Sequence, residues 1–341
     1  MLRTHHLLLP TDLKDPDLLL RMLRLALHFE GELHVFHVAH RAPIRPAWNR
    51  NALRQWLLAE LDGETGPRGA LPARLHVHQE VVGQEVIHRE IARFAERHEI
   101  DLIVAGTSSD ALATSRITPE TVAEVVRHAP CPVVTLPPAV REQAPIRHLL
   151  VPTDFSDCSQ HALAHAKALA HRFGARITLV HVLSLPPMFL EDPAPAEVPV
   201  RIFSRQPEQY LRPLRALYEQ VPGPAVPCDI QVSIGPVPDR IAGLAAELHA
   251  DLIVLGSHGA TGFHHLPLGN VADRVIRTAP VPVLTVKSFG RSLLPYRPAS
   301  FRHVWTSRLA DGYLFEPAPP GDDTRSAARP TNLPARAVSA T

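Results

Sequence analysis

The chain repeats itself, and this repeat limits the possible folds more than any other feature of the sequence. Four landmarks of the first half return in the same order in the second half: residues 6–12 return at 148–154, 34–38 at 178–182, 101–106 at 251–256, and 129–134 at 279–284. Each copy has roughly 140 residues, which is an ordinary domain size. The chain of 341 residues is therefore predicted to contain two domains with the same fold.

Short apolar runs alternate with helical patterns inside each copy. Helices are expected over Ser159–Phe173, with Gly174 as the C-cap, and over Asp239–His249. Strands that alternate with helices predict right-handed βαβ units, so the fold class is α/β with a mostly parallel sheet. In the second copy, five strands are expected at about 147–152, 177–183, 227–233, 251–256 and 281–286.

Proline-rich stretches divide the chain into three parts. A linker at 137–146 separates a first domain, expected at 1–141, from a second domain, expected at 145–290. A Pro-rich excursion at 184–207 is expected to form a surface loop of the second domain. Residues 291–341 are rich in Pro, Ala and Arg and lack sustained periodicity, so a largely disordered tail is expected there.

Composition excludes several classes of protein. The net charge of +1 gives no bulk attraction to nucleic acid or to an anionic membrane, so neither partner is expected. Three cysteines without CxxC spacing predict neither a disulfide framework nor a zinc ribbon. No apolar run approaches the length of about eighteen residues that a membrane span needs. We therefore expect a cytoplasmic protein.

A glycine-rich loop in the second copy has the ingredients of a phosphate site. It begins at the end of the fourth strand and reads Gly256-x2-Gly259-x9-Gly269-Asn270 before a helical pattern. Gly256 can turn the chain, Gly259 allows the backbone to approach a phosphate, and Asn270 is a good N-cap. The amides at the start of the helix would then face the anion. A plain flexible loop is the alternative, since glycine spacing alone is a weak motif.

The ends of two strands are the other candidate site residues of the second copy, because ligands of open parallel sheets bind beyond the carboxyl ends of the strands. The first strand ends at Pro152, Thr153 and Asp154, and the second ends at His181 and Val182. Asp154 could accept a hydrogen bond from a ribose hydroxyl or cap the next helix, and the local sequence does not separate the two. Val182 could offer backbone groups to an adenine edge or be an ordinary strand residue. We expect these strand ends and the glycine loop to share one crevice.

The sequence gives less support to a metal site or to covalent catalysis. His258, His264 and His265 lack an accompanying carboxylate or cysteine at a recognised zinc spacing, so we interpret them as surface histidines and predict no metal ligand. No lysine lies in the glycine loop, so a Walker-type phosphate clamp is absent. No Gly-x-Ser-x-Gly elbow occurs either, and no catalytic residue is predicted.

The first copy has lost most of the glycine loop. Gly106 keeps the first glycine, but at the same offset the other two glycines and the asparagine are replaced by Ser109, Pro119 and Glu120. Glu120 adds a negative charge that suits the helix dipole and repels phosphate. The first copy keeps Asp12, yet we predict that it binds no nucleoside triphosphate and serves as a packed partner of the second copy.

The motifs of the second copy, taken together, resemble those of the universal stress protein family. They lie at residues 151–156, 179–182 and 256–283, and the resemblance of the repeated frame extends over about 1–290. It implies two tandem Rossmann-like domains of the adenine nucleotide α-hydrolase-like type. Each domain would contain a five-stranded parallel sheet flanked by helices.

The resemblance also implies roles for the residues of the site. The ATP-binding branch carries Gly-x2-Gly-x9-Gly-[Ser/Thr], and by this likeness Asp154 would bind the ribose and Val182 the adenine. Phosphate contacts would come from Gly256, His258, Gly259, Gly269, Asn270 and the backbone amides of Val271 and Ala272. Asn270 departs from the family's Ser or Thr and supplies no hydroxyl to a terminal phosphate. The expected cofactor is therefore ATP, or ADP or AMP in its stead, with or without Mg²⁺.

These observations favour a regulatory, nucleotide-binding protein of the stress response. The sequence offers no obvious base, lysine clamp or carboxylate pair for phosphoryl transfer, so weak ATP hydrolysis is the most that is expected. Two alternatives stay open: a ligand-free interaction module, and a slow ATP-hydrolysing or adenylate-transferring enzyme on the same fold. The resemblance implies that the two domains pair through their last strands, at 132–136 and 282–286. A homodimer and a protein partner of unknown identity are also expected.

Overall fold

The computed structural model describes residues 2–39, 50–61, 75–81, 87–107, 117–138, 145–184, 207–259 and 268–295. The first repeat forms β1 (His6–Thr11), α1 (Pro16–Ala26), β2 (Glu32–Ala39), α2 (Arg50–Leu61), β3 (Leu75–Val81), α3 (Ile87–Arg97), β4 (Leu102–Gly106), α4 (Pro119–His128) and β5 (Val133–Leu136). The second repeat forms β6 (His148–Pro152), α5 (Asp157–Phe173), β7 (Arg176–Leu183), α6 (Pro207–Gln220), β8 (Cys228–Ile234), α7 (Val237–Glu247), β9 (Leu252–Gly256), α8 (Asn270–Thr278) and β10 (Val283–Val286).

These strands form one continuous sheet in the order β3-β2-β1-β4-β5-β10-β9-β6-β7-β8. Neighbouring strands are parallel within each repeat, so each repeat contributes five parallel strands. The repeats meet at β5 and β10, which are antiparallel, with Val283 opposite Thr135 and Thr285 opposite Val133. The pairing of last strands that the resemblance implies is thus present within one chain. A homodimer of whole chains stays a prediction.

Helices cover both faces of the sheet, because strands of a parallel sheet carry apolar side chains on both sides. One face packs against α1, α2, α5 and α6, whose buried residues include Leu163. The other face packs against α3, α4, α7 and α8, whose buried residues include Phe94. The chain therefore has the layered α/β architecture that the alternation of strands and helices predicts. Among the described residues, no helix is both long and apolar enough to cross a membrane.

The strands of the second repeat lie within two residues of their predicted bounds, whereas one helix is displaced. α5 ends at Gly174, whose φ of 65° is the left-handed cap that glycine favours, as predicted. α7 covers Val237–Glu247 and not Asp239–His249. Proline is tolerated in the first turn of a helix, so Pro238 does not delay the start. At the other end, a φ of 50° at His249 takes the chain out of the helix.

The chain after β10 crosses back to the first repeat as a segment of residues 287–294, which we call the strap. Lys287 Nζ donates to two backbone oxygens at the end of α4, at 3.0 and 2.7 Å. The Arg291 guanidinium donates to two backbone oxygens in the last turn of α3 and to one just after it. Leu293 is fully buried, so the predicted start of the tail at 291 is too early. The residues from 296 onward, and 185–206 of the Pro-rich excursion, lie outside the described residues.

Candidate functional site

Two loops of the second repeat meet at the carboxyl ends of its strands. β6 lies between β7 and β9, so the loops that follow β6 and β9 leave from neighbouring strands. Thr153, just after β6, donates its amide to Val180 O of β7 at 2.8 Å, and its own carbonyl accepts from His181 Nδ1 at 2.8 Å. The loop 256–259 approaches the next residue, Asp154. The strand ends and the glycine loop that the sequence groups together are therefore neighbours.

Asp154 is held in a tight turn before α5. Its Oδ1 accepts hydrogen bonds from Ser156 N at 3.1 Å and Ser156 Oγ at 2.6 Å. The N-cap of α5 is Ser156 itself, whose hydroxyl accepts from Ser159 N at 3.2 Å. The interpretation of Asp154 as the helix cap is therefore wrong, because the helix begins two residues later than that role would need. Its carboxylate is instead fixed facing the glycine loop.

Three glycines allow the loop to pack this closely. A Cβ on Gly259 would lie 2.5 Å from Asp154 Oδ2, and one on Gly256 would lie 2.8 Å from the backbone of α5. Distances this short exclude a side chain at both positions without movement of the neighbours. Gly269 donates its amide to Ser257 O at 2.8 Å, and a Cβ there would lie 3.3 Å from that oxygen. The glycines therefore bring the loop, the carboxylate and the start of α8 into contact.

The start of α8 has no side-chain cap. Its N-cap is Gly269, with extended φ and ψ of −76° and 152°, and Asn270 is the first helical residue. The prediction that Asn270 is the N-cap is therefore wrong by one position. The first intrahelical bond joins Asp273 N to Gly269 O, so the amides of Asn270, Val271 and Ala272 have no partner within the helix. Such amides at a helix start are well suited to bind an anion.

The matching helix of the first repeat closes its own start. Thr118 caps α4 by accepting from Thr121 N at 3.2 Å, and Pro119 has no amide hydrogen to offer. The pKa of Glu120 is lowered by its own backbone amide, by the Thr118 hydroxyl and by Arg277, which donates to the carboxylate at 3.1 Å. An anion that approached α4 would meet a capped helix and a carboxylate.

The described histidines near the loop are engaged in hydrogen bonds. His258 Nδ1 lies 2.8 Å from the hydroxyl of the preceding serine. Burial lowers the pKa of His181, whose ring donates to a backbone carbonyl. His264 and His265 lie outside the described residues, as does Ser109 of the first repeat. The interpretation of the three loop histidines as surface residues therefore stays a prediction.

Comparison with models of protein families assigns both repeats to one family. The model described as the universal stress protein family matches residues 4–137 and again residues 145–287, which together are well over half of the chain. The chain belongs to the universal stress protein family. The resemblance seen in the motifs is confirmed, and so is the α/β fold of two tandem Rossmann-like domains.

Individual relatives of this universal stress protein match one repeat or both. Universal stress protein MJ0531 of Methanocaldococcus jannaschii is 32% identical over 143 residues, which cover 41% of this chain and 82% of the relative. A universal stress protein of Thermus aquaticus is 33% identical over 140 residues, which cover 41% of this chain and 97% of the relative. The crystal structure of a universal stress protein from Archaeoglobus fulgidus covers 84% of this chain and 97% of its own, with 19% identity and a TM-score of 0.51. At that identity the structure shows the fold alone.

Sequence reasoning missed one residue that holds the loop of this universal stress protein together. Ser257 is fully buried; its carbonyl accepts from Gly269 N and its amide donates to Val286 O, each at 2.8 Å. These two bonds tie the glycine loop to the start of α8 and to the last strand, β10. The only signal in the sequence is that Ser257 stands inside the glycine motif, since its partners lie 12 and 29 positions further along the chain.

Proposed function

We propose that the second repeat binds an adenine nucleotide and that the protein acts in the stress response as a regulatory binding protein with little or no turnover. The ribose would contact Asp154 and the adenine the backbone at Val182. The phosphates would lie between the loop 256–259 and the start of α8. The observation that carries this proposal is the uncapped start of α8 beside a glycine loop that packs directly against a carboxylate.

The contrast between the two repeats supports the second repeat as the site. Both helices follow the fourth strand of their repeat, so both dipoles present a partial positive charge at an equivalent position. Only α8 combines that position with a glycine N-cap and an exposed first residue, Asn270. In α4 the same position is closed by Thr118, Pro119 and Glu120. One nucleotide per chain is therefore proposed.

The described charges near the site argue against fast phosphoryl transfer. Lys167 and Lys287 donate to backbone carbonyls at helix ends, so neither supplies a clamp for a phosphate. Asn270 offers an amide in place of a hydroxyl. ATP, ADP and AMP are therefore all proposed as ligands, with or without Mg²⁺, and ATP hydrolysis would be slow.

The sharpest test is the substitution Gly269→Ser. A serine hydroxyl at the N-cap would accept from the amide of Val271 or Ala272 and so occupy a group proposed to bind phosphate. We expect nucleotide affinity to fall by about 10-fold, the loss of roughly one charge-assisted hydrogen bond. The free energy of unfolding should change by no more than about 1 kcal/mol, because the new cap offsets the 3.3 Å contact of the added Cβ with Ser257 O. Isothermal titration calorimetry and urea unfolding measure the two quantities on the same preparations.

Gly259→Asp is the stronger variant, because it adds a second carboxylate beside Asp154 and the phosphates, and it should abolish binding. Titrations would use ATP, ADP, AMP and cAMP, each with and without Mg²⁺. One solved universal stress protein is in complex with cAMP. No heat of binding in the wild type would overturn the proposal and favour an interaction module. Release of ADP or pyrophosphate during incubation would favour the enzyme on the same fold. Equal affinity in wild type and both variants would move the site elsewhere.

A further inference from the structure

A cluster of histidines lies at the amino ends of the first three strands of the first repeat. His6 begins β1, Glu32 begins β2, and His76 is the second residue of β3. These three strands are adjacent and parallel, so their first residues lie together at the amino ends of the strands. The strands β4, β5 and β10 separate β1 from β9, so this cluster is distinct from the loop proposed to bind nucleotide. His34 and His78 follow two residues later on the same strands. The function proposed above uses none of these residues.

The ligand atoms of His6, Glu32 and His34 converge, and His76 lies beside Glu32. His6 Nδ1 lies 3.3 Å from His34 Nε2, and Glu32 Oε2 lies 3.2 Å from His76 Nε2. The two pairs are linked by His6 Nδ1 and Glu32 Oε2, which are 3.9 Å apart. One atom each of His6, Glu32 and His34 lies within 4.8 Å of the other two.

These separations of 3.2 to 3.9 Å are close to the spacing of ligands around a tetrahedral metal ion. Zinc binds nitrogen at about 2.0–2.1 Å, and a tetrahedron with bonds of that length separates its ligand atoms by about 3.3 Å. We propose that His6, Glu32, His34 and His76 bind a divalent transition-metal ion of the zinc class. Three imidazoles and one carboxylate suit Zn²⁺, Co²⁺ or Ni²⁺ and do not suit Mg²⁺ or Ca²⁺, which prefer oxygen ligands.

A second layer of contacts fixes the orientation of the most buried ligand. The other ring nitrogen of His34, Nδ1, lies 3.2 Å from His78 Nε2, so a proton on Nδ1 leaves Nε2 with its lone pair directed at the ligand cluster. His78 is itself packed at 4.8 Å, edge to face, on Phe94 of α3. The side chains of Glu32 and His76 are 30% and 42% exposed, so an ion can reach the cluster from solvent.

The corresponding strand ends of the second repeat keep one of the three histidines and have other residues in place of the remaining ligands. His148 corresponds to His6, but its ring bonds Thr178 Oγ1 at 2.8 Å and a backbone carbonyl at 3.0 Å. Thr178 stands where the first repeat has His34. Arg176 and Asp229 stand in place of Glu32 and His76 and form an ion pair at 3.1 Å. The fold thus satisfies these strand ends without a metal in one repeat, so the imidazole cluster of the other is not a requirement of the architecture.

A rival group in the first repeat provides the control. His88, Glu124 and His128 also offer three ligand atoms within 4.8 Å of one another. Two of these groups already have other partners, since Glu124 is ion-paired with Arg127 and His128 Nδ1 donates to a backbone carbonyl at 2.9 Å. We therefore expect this group to bind a metal ion far more weakly than the cluster at the strand ends.

The test is calorimetric titration of metal-free, full-length protein with Zn²⁺, repeated with Mg²⁺. The wild type should bind one equivalent of Zn²⁺ tightly and no Mg²⁺. His34→Thr, which installs the residue of the second repeat, should weaken Zn²⁺ binding by at least about 10-fold, the lower range for disturbed metal sites. Glu32→Gln, which preserves shape, should act in the same direction, and His88→Gln should leave the affinity unchanged. Co²⁺ bound to the wild type should show the visible absorption of a tetrahedral site.

Three outcomes would overturn this assignment. Zn²⁺ binding that is equal in wild type and His34→Thr would mean adventitious binding to dispersed histidines. Loss of binding in His88→Gln alone would move the site to the rival group. Octahedral Co²⁺ absorption in the wild type would exclude the proposed ligand geometry. Thermal unfolding without metal checks that each variant is folded, and Glu32→Gln decides the question if His34→Thr is not.

Discussion

At the scale of single residues, two of the three lysines are buried and cap the C-termini of helices. Lys167 Nζ donates to Tyr218 O and Val221 O at the end of α6, as Lys287 does at the end of α4. The negative end of a helix dipole favours a cation in this position. Both lysines are buried, and burial lowers the pKa of each. Each ammonium therefore trades hydration for direct bonds to carbonyl oxygens.

We expect Lys287 to make stability depend on pH above neutrality. Burial lowers its pKa from 10.5 to about 8, so between these values the unfolded chain binds the proton more strongly than the folded protein does. The free energy of unfolding contributed by this group should therefore rise as pH increases from about 8 to 10.5, by on the order of 3 kcal/mol in total. Urea unfolding at several pH values, compared between wild type and Lys287→Met, measures the slope.

The wild type must be compared with a variant because the titration of Cys131 changes the free energy of unfolding with pH in the opposite direction. Burial raises the pKa of its thiol to about 12, so the folded state retains that proton longer than the unfolded chain. Lys14→Met is the matched control, since Lys14 is exposed and its loss should leave the slope intact. An identical slope in wild type and Lys287→Met would show that this ammonium titrates normally.

At the scale of elements, the two repeats start equivalent helices by different chemistry. Thr118 caps α4 with its hydroxyl, whereas α8 starts at Gly269 with no side-chain bond. Each helix follows the fourth strand of its own repeat, and the two N-cap residues have similar φ and ψ, −80° and 166° at Thr118 and −76° and 152° at Gly269. The difference at the cap therefore lies in the side chains.

Thr118→Ala should separate a structural cap from a ligand-binding one. Loss of the bond to Thr121 N should lower the free energy of unfolding by about 1 kcal/mol. Nucleotide affinity should not change, because the proposed site is at α8. Chemical denaturation and calorimetry on the same protein measure both. A fall in affinity in this variant would contradict the assignment of the site to the second repeat.

Strands were predictable from sequence because buried runs such as 252–256 are apolar on both faces and flanked by turn residues. The first residues of helices were harder to predict. The N-cap is the residue with extended backbone just before the helix, and both Gly269 and Asn270 are residue types that suit this position. The approach of Gly259 to Asp154 depends on the packing of loops that are about 100 positions apart in sequence. The histidine cluster was missed for the same reason, since its members come together only through the register of β1, β2 and β3.

At the scale of the whole molecule, the strap joins what the repeat pattern presents as two separate units. Its Arg291 donates to Ala95 O at 2.8 Å and Glu96 O at 3.2 Å in the last turn of α3, and to Ile100 O at 3.4 Å just after that helix. Ser292 Oγ lies 3.1 Å from His165 Nε2 of α5 in the second repeat. The segment therefore contacts both repeats directly after completing the last strand.

Arg291→Ala should weaken the connection between the repeats. Removing the guanidinium takes a donor from three backbone oxygens, but Ala95 O keeps Ile100 N at 2.9 Å and Glu96 O keeps Glu99 N at 3.3 Å. We therefore expect a loss of about 1 kcal/mol in the free energy of unfolding. Hydrogen exchange should rise at the end of α3 before it rises in the core strands. Arg291→Lys should restore only part of the loss, because an ammonium lacks the planar fork of donors. Unchanged exchange at α3 would show that these bonds contribute little.

The antiparallel meeting of β5 and β10 has a consequence for how this molecule behaves at different concentrations. Because the two pairing strands belong to one polypeptide, dilution cannot separate them, and their effective concentration is set by the chain that links them. Two identical subunits that paired in this way would carry the same loop twice. Here every pair holds one half with the glycine loop and one half without it. The ratio of the two kinds of half is therefore fixed at synthesis and does not vary with expression level.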